Sequence, residues 1–213
     1  MKAEQIKSEI KKSYGAIALG NHSVSGCCST EMCCTLDDLG TMAEDYSNME
    51  GYQKEADLSL GCGLPTEIAQ IQAGDVVVDL GSGAGNDAFI ARSIVGSQGK
   101  VIGIDLTPEM IALARQNADK LGFDNVSFVQ GNIENMSGIA QDIADVVVSN
   151  CVMNLVPDKA KAFSEVYRIL KPGGHFSISD IVHKGALPHA ILEAAEMYAG
   201  CVAGASELHQ YLG

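Results

Sequence analysis

Seven cysteines are the most reactive side chains of this 213-residue sequence. Three stand apart, Cys62, Cys151 and Cys201, and four cluster near the N-terminus, namely Cys27, Cys28, Cys33 and Cys34. An odd number of thiols in a chain without a signal-peptide pattern argues against a disulfide framework. Taken singly, a free cysteine is most often a small buried hydrophobe. Cys151 directly follows an apolar run, so ligand, redox and nucleophile roles stay open for the thiols.

A glycine-rich segment, VVVDLGSGAG at residues 76–85, is the second feature that indicates chemistry. Glycines let the backbone turn sharply after a strand and approach a ligand closely. The spacing is G-x-G-x-G, whereas dinucleotide-binding loops have G-x-G-x-x-G, and this argues against NAD. Asp79 precedes the first glycine by two residues and suits a cationic amine or the loop amides. An amino-acid-bearing nucleoside therefore fits better than a dinucleotide.

Asp105 ends the apolar run VIGID, where a carboxylate can accept two hydrogen bonds from the vicinal hydroxyls of a ribose. The alternative is a loop carboxylate that caps the helix beginning near Pro108. Together with the glycine loop, the ribose role is favoured.

Five apolar runs alternate with helical patterns and must position these residues. The runs cover residues 76–80, 101–105, 125–130, 144–150 and 175–182, and the helical patterns cover 86–95, 108–122 and 158–171. Such alternation predicts a Rossmann-like, doubly wound α/β fold with a parallel sheet covered on both faces. Its ligands bind beyond the carboxyl ends of the strands, where every motif above falls.

Composition excludes several classes of protein. The hydrophobic fraction of 46% and charged fraction of 19% are those of a globular domain. A formal charge of -13 with 14 scattered basic residues disfavours a nucleic acid substrate. No apolar run reaches the roughly 18 to 20 residues of a membrane span. We expect a cytoplasmic protein that acts on a small molecule.

The motifs at residues 64–183 resemble the class I S-adenosylmethionine methyltransferases, which carry an acidic residue before a G-x-G-x-G loop and another at the end of the second strand. The resemblance implies S-adenosylmethionine as cofactor. Its methionine part would lie against Asp79, Gly81, Ser82, Gly83 and Gly85. Asp105 would hold the ribose, and Leu106, Thr107 and Met110 would lie near the nucleoside. The adenine position matches Asn132, Ile133 and Glu134, and Asn150 is a further polar contact.

More specifically, the sequence resembles the arsenite methyltransferases, through LGCGLP, DLGSGAGNDAF, GIDLTPEMI, SNCVMNLVPDK, LKPGG, SDIV and CVAGA. The resemblance implies functional thiolates at Cys62, Cys151 and Cys201, often with a further one in the N-terminal segment such as Cys33 or Cys34. We assign arsenic binding to Cys151 and Cys201, with Cys62 as a third ligand or a redox partner. It also implies a disulfide step in product release, with glutathione or thioredoxin restoring the thiols.

The chemistry agrees with that resemblance. Trivalent arsenic is a soft centre with three bonding positions, so thiolates outcompete harder ligands. Two alternatives stay open: a quinone-type C-methyltransferase, and a thiol module that binds arsenic without turnover. For the N-terminal cysteines, redox or arsenic capture is favoured over a zinc site, because their spacing is not that of zinc motifs.

The expected organisation is an N-terminal cap at residues 1–60, a cofactor-binding core at 61–183 and the start of a truncated arsenic-binding region at 184–213. The antiparallel hairpin that ends the class I sheet is not found. We therefore expect an open edge at residues 175–182 that is covered or forms a homodimer.

Overall fold

A central sheet of five parallel strands organises the protein. The computed structural model describes residues 2–20, 44–188, 198 and 200–212. The strands are β1 (Val76–Leu80), β2 (Lys100–Asp105), β3 (Val126–Gln130), β4 (Ala144–Asn150) and β5 (Leu170–Ser179). They lie in the order β3-β2-β1-β4-β5, and every neighbouring pair is parallel. The prediction of a doubly wound parallel sheet is confirmed.

The described helices flank this sheet. They are α1 (Ala3–Ala18), α2 (Pro65–Ile68), α3 (Asn86–Val95), α4 (Pro108–Leu121), α5 (Lys159–Ile169) and α6 (Leu208–Leu212), with a 3-10 turn at Met153–Leu155. Helix α4 ends as predicted, because Gly122 adopts a left-handed φ of 67° at its C-terminus. Helix α1 begins the N-terminal region and buries Ile6 and Ile10.

The end of α5 differs from the prediction. The sequence pattern placed the helix over residues 158–171, but it ends at Ile169 and Leu170 already pairs with Ala144 of β4. The register then jumps, so that Val146 faces His175. Pro172 and the two glycines after it are therefore an irregularity inside β5, not a loop before it, and this irregularity lets the strand begin earlier.

Two apolar clusters fill the two faces of the sheet. One contains Val77 and Val101 with the rings of Phe89 and Phe128, and the other contains Val78 and residues of α5. Successive residues of a strand point to opposite faces, so the valine run of β1 supplies both clusters. This two-sided burial explains why the strands are continuous apolar runs.

Strand β5 forms one edge of the sheet. Helix α2 is fastened to it, since Ser177 Oγ donates to the Pro65 carbonyl (2.9 Å) and the His175 ring contacts the Ala69 carbonyl (2.6 Å). In the described part of the chain no strand pairs with the outer side of β5, and Phe176 is 52% exposed. Strands β6 (Val182–His183) and β7 (Ser206–Glu207) form a separate parallel pair.

None of the helices in the described ranges combines the length and apolar character that a bilayer crossing requires.

Candidate active site

A cavity of about 1100 Å³, including its open mouth, lies beyond the carboxyl ends of the strands. Its walls come from the loops after β1, β2, β3 and β4 and from helix α1. The strand order reverses between β1 and β4, which is where ligands bind in doubly wound sheets. The predicted cofactor residues Asp79, Gly81, Ser82, Gly83, Asp105, Leu106, Thr107, Met110, Asn132, Ile133, Glu134 and Asn150 all line it.

The glycine loop forms the floor of this cavity. The amides of Gly81 and Ser82 both donate to the Ile104 carbonyl (2.7 and 3.0 Å), which turns the chain sharply after β1. Gly81 has a φ of 68°, and a Cβ there would collide with the Val152 side chain. Gly85 plays a different part: it does not line the cavity but packs against the Phe89 ring at the start of α3.

Two carboxylates that line the cavity, those of Asp79 and Asp87, each have one buried oxygen without a hydrogen-bond partner. Asp79 is 2% exposed, its Oδ2 has no hydrogen-bond partner, and burial followed by repulsion from Asp87 and Asp105 raises its pKa well above the usual value. Burial raises the pKa of Asp87 to about 6, and its Oδ1 is also unpartnered. Because an unpaired buried charge is costly, these groups fit a ligand with a cationic amine, such as the methionine part of S-adenosylmethionine.

Asp87 belongs to a network that sequence reasoning missed. Its Oδ2 accepts hydrogen bonds from Tyr46 Oη (3.3 Å) and Asn150 Nδ2 (3.0 Å). Asn150 Nδ2 also contacts Tyr46 Oη and donates to the Gly63 carbonyl (2.8 Å). The sequence did offer a signal for Asp87, because it is an acidic residue two positions after the last glycine of the loop. Tyr46 lies thirty residues before the first strand and gave none.

Asp105 is held by backbone amides. Its Oδ2 accepts from the Gly83 amide (3.0 Å) and its Oδ1 from the Thr107 amide (2.7 Å). Thr107 is the N-cap residue of α4, so Asp105 also anchors the chain at the start of that helix, although the Thr107 side chain makes no capping hydrogen bond. Each carboxylate oxygen can accept a second hydrogen bond, which leaves capacity for a ribose.

Glu134 ties helix α1 across the cavity. Its carboxylate forms an ion pair with Lys7 and accepts from the Asp158 amide (2.8 Å) and from Asn132 Nδ2 (3.2 Å). Burial opposes ionisation, but these donors, Lys7 foremost, hold the pKa of Glu134 below its usual value. The N-terminal helix is thereby fastened beside the position expected for adenine.

The three isolated cysteines converge at the ends of β4 and β5. The Cys151 thiol is in hydrogen-bonding contact with the thiols of both Cys201 and Cys62, and these contacts, together with burial, raise its pKa. Cys201 Sγ donates to the Cys151 carbonyl (3.2 Å), and Cys62 Sγ donates to the Ser179 carbonyl (3.7 Å). All three are free thiols, and Cys151 also lines the cofactor cavity. The predicted Cys27, Cys28, Cys33 and Cys34 lie outside the described residues.

Local contacts hold each thiol in place. The Cys62 amide donates to Asn150 Oδ1 (3.0 Å), and the Cys151 amide donates to the Ser179 carbonyl (2.8 Å). Near Cys201, Lys159 Nζ donates to the Gly204 carbonyl (3.0 Å). Asn150 therefore connects the thiol group with the carboxylate network around Asp87.

The raised pKa of Asp87 makes a prediction about stability. An unfolded aspartate titrates near 3.9, so the contribution of Asp87 to folding is fully present below about pH 4 and is lost as the pH rises through 6. Asp87→Asn removes the buried charge. Its unfolding free energy should exceed that of the unmodified protein by on the order of 2 kcal/mol at pH 7.5, and the difference should vanish near pH 4.

Denaturant unfolding at both pH values measures this difference. Asp142→Asn, at an exposed carboxylate, is the matched control and should show no such pH-dependent gain. A stability gain from Asp87→Asn that is equal at both pH values would contradict a raised pKa of Asp87 in the folded protein.

Comparisons with known proteins agree with this geometry. A family model described as a methyltransferase domain matches residues 71–212. An arsenite methyltransferase of Halobacterium salinarum is 43% identical over 193 residues, which are 90% of this chain and 48% of that protein. The chain thus spans about half the length of this relative. A ubiquinone/menaquinone biosynthesis C-methyltransferase of Marinomonas sp. is 34% identical over 109 residues, 51% of this chain and 43% of that protein.

Among solved structures, an arsenic (III) S-adenosylmethionine methyltransferase from Chlamydomonas reinhardtii superposes with a TM-score of 0.64 and 39% identity, over 71% of this chain and 53% of that one. The glycine loop, the acidic residues around it and these likenesses lead to one conclusion. The chain belongs to the methyltransferase-domain family.

Proposed function

We propose that this chain transfers a methyl group to trivalent arsenic held by Cys62, Cys151 and Cys201. The observation that carries the proposal is the contact of the Cys151 thiol with the thiols of both Cys62 and Cys201, at the edge of the cofactor cavity. Arsenite methyltransferase relatives from an archaeon and from an alga support the same substrate.

The donor set favours arsenic over a carbon acceptor. A soft trivalent centre has three bonding positions, and three thiols offer a matching set. A quinone-type C-methyltransferase would share the glycine loop and Asp105 but would have no use for three converging sulfurs. The likeness to the quinone enzyme also covers a smaller part of the chain than the likeness to the archaeal arsenite enzyme.

Binding of arsenite does not require ionised thiols in the free protein. When a thiol displaces a hydroxide from arsenite, the thiol proton leaves with that hydroxide as water, and three such exchanges give arsenic with three sulfur ligands. The neutral form of Cys151, which its neighbouring thiols and burial favour, is therefore a competent starting state. The small exposure of Cys151 and Cys201, 6% and 5%, keeps the bound metalloid away from water.

Catalysis would come from alignment. The bound cofactor supplies an electrophilic methyl group on a sulfonium. Arsenic with three sulfur ligands keeps a lone pair, so no general base is needed. Cys151 places that lone pair beside the cavity, while Asn150 fixes the Cys62 loop relative to Asp87. Proximity and orientation of this kind contribute on the order of 7 kcal/mol or more.

The assignment of individual cofactor contacts belongs to this proposal. Asp79 would receive the ammonium group together with Asp87, Asp105 would receive the ribose, and Glu134 would lie at the adenine. The division into an N-terminal cap, a core and a C-terminal arsenic-binding region is proposed as well. It is supported by α1, which lines the cofactor cavity, and by Cys201, which joins the thiols of the core.

Turnover also requires a reductant. After methyl transfer the arsenic is formally pentavalent, and two of the thiolates can return it to the trivalent state by giving up two electrons and forming a disulfide. Glutathione or thioredoxin would supply two electrons and two protons to restore the thiols. The contact of Cys151 with both neighbouring thiols supports such a step, and a reducing cytoplasm is the expected setting.

Substitution of the thiols tests the arsenic assignment. Serine at position 62, 151 or 201 removes one of three sulfur ligands, so arsenite affinity should fall by at least about tenfold and methylation should be lost. Arsenite binding is measured by calorimetry, and products are measured after incubation with arsenite, glutathione and labelled cofactor.

Cofactor affinity serves as the control in Cys62→Ser and Cys201→Ser, whose thiols do not line the cavity, and it should stay unchanged there. If Cys151→Ser retains normal arsenite binding and methylation, the mechanism is wrong. Arsenite binding without any methylated product in the unmodified chain would favour a thiol-binding module instead.

We further propose that β5 mediates homodimerisation. Its outer side is unpaired within the described residues, and Phe176, a residue of this edge strand, is 52% exposed. A charge at a strand edge blocks pairing, so Phe176→Lys should convert a dimer to a monomer in sedimentation experiments. Tyr167→Lys, at an 84% exposed position on α5, should leave the dimer intact. A monomeric unmodified chain would overturn the proposal.

A further inference from the structure

A carboxylate completes a second ligand set at the thiol group. Asp180 directly follows β5, and one of its carboxylate oxygens, Cys62 Sγ and Cys151 Sγ all lie within 4.8 Å of one another. Zinc bonds of about 2.3 Å to sulfur and 2.0 to 2.2 Å to oxygen imply separations of roughly 3.5 to 3.8 Å between tetrahedral ligands. A small contraction around a cation would satisfy that geometry.

One oxygen of the Asp180 carboxylate is buried without a hydrogen-bond donor. Its Oδ2 accepts from Tyr211 Oη (3.3 Å), and the backbone amides of Ile181 and Asn154 also stabilise the carboxylate, but its Oδ1 is buried and has no donor in hydrogen-bonding geometry. Lys159 is close enough to act on it electrostatically, yet the Lys159 ammonium donates to the carbonyls of Gly204 (3.0 Å) and Val156 (3.4 Å). A buried carboxylate oxygen without a donor is costly, and a bound cation would remove that cost.

The chemistry of this set differs from that of the three thiols. Arsenic in its trivalent state is satisfied by sulfur alone, whereas two thiolates and a carboxylate suit a divalent cation of borderline softness, such as Zn²⁺ or Cd²⁺. We propose that Cys62, Cys151 and Asp180 form a binding site for such a divalent cation, with a fourth position beside Cys201.

This site has a consequence for the arsenic chemistry. The cation and arsenite use the same two sulfurs, so they exclude one another, and a divalent thiophilic cation competes with arsenite. Asp180 takes part in cation binding only. The inference depends on the geometry of the thiols and the carboxylate, and it stands apart from the proposed methylation.

Direct titration of the reduced full-length chain with Zn²⁺ or Cd²⁺ tests the site. Cys27, Cys28, Cys33 and Cys34 are first replaced by serine, so that they contribute no ligands. Cadmium binding is followed by the ultraviolet sulfur-to-metal charge-transfer absorption, and zinc affinity is measured by competition with a chromophoric chelator. One ion per chain should bind in this background.

Substitutions at and around Asp180 test whether its carboxylate binds the cation. Asp180→Asn preserves shape but removes the anionic ligand, so zinc affinity should fall by at least about tenfold, while arsenite affinity should change by less than about threefold. Tyr211→Phe, which keeps the carboxylate and removes its hydrogen-bond donor, and the surface control Asp142→Asn should leave zinc affinity within about threefold. Cys62→Ser should weaken the binding of both zinc and arsenite, because both use the Cys62 sulfur.

The outcomes separate this inference from the proposed function. Zinc binding that Asp180→Asn leaves unchanged, or no zinc binding at all, overturns the cation site. Zinc binding weakened by Asp180→Asn supports it even if the chain proves unable to methylate arsenic, and in that case only the proposed function fails. In a methylating chain, Asp180→Asn should raise the zinc concentration needed for inhibition by the same factor as it lowers zinc affinity.

Discussion

The contact of three thiols at the carboxyl ends of β4 and β5 is the interaction on which the account of this protein depends. The backbone at two of these cysteines has an unusual conformation, because Cys151 and Cys201 are both left-handed, with φ of 57° and 62°. For residues other than glycine this costs roughly 1 to 2 kcal/mol each. The cost is offset by local hydrogen bonds, such as those that the Ser179 carbonyl accepts from the Cys151 amide and the Cys62 thiol. Strain of this kind concentrates at functional sites.

The cofactor cavity shows a related compromise between stability and function. Asp79 and Asp87 are buried close to each other and to Asp105, and burial raises the pKa of all three. A sequence selected for stability alone would place neutral groups there. Their retention makes sense if a cationic ligand fills the cavity, and Asn150 couples that region to the loop that carries Cys62.

Much of the fold was predictable because its signals are local. The bounds of β1, β4 and α3 agree with the sequence patterns, since β1 and β4 each contain a continuous valine run and Gly85 and Gly96 flank α3. The start of β5 was missed, because Pro172 and the following glycines suggested a loop where the structure has a strand irregularity. Local pattern cannot distinguish these two uses of the same residues.

The site was predictable in part for the same reason. Motif spacing placed Asp79, Asp105 and Cys151 at strand ends, and the fold brings them to one cavity. Gly85 was assigned to the ligand but packs against Phe89, because only the direction of the turn decides which glycine faces the cavity. Tyr46, Asp87 and Asp180 gain their roles from contacts with residues distant in sequence. Asp87 and Asp180 lie inside recognised motifs, but the motifs alone do not show which partners these carboxylates meet, and Tyr46 lies in no motif.

X-ray absorption spectroscopy at the arsenic edge, on the arsenite-loaded chain, tests the central claim most directly. To isolate the three converging thiols, Cys27, Cys28, Cys33 and Cys34 are replaced by serine. The account predicts three sulfur neighbours around arsenic and no oxygen neighbour, with one sulfur lost when Cys62, Cys151 or Cys201 is changed to serine. Arsenic that keeps its oxygen neighbours, or that keeps three sulfurs when Cys151 is replaced, would contradict it.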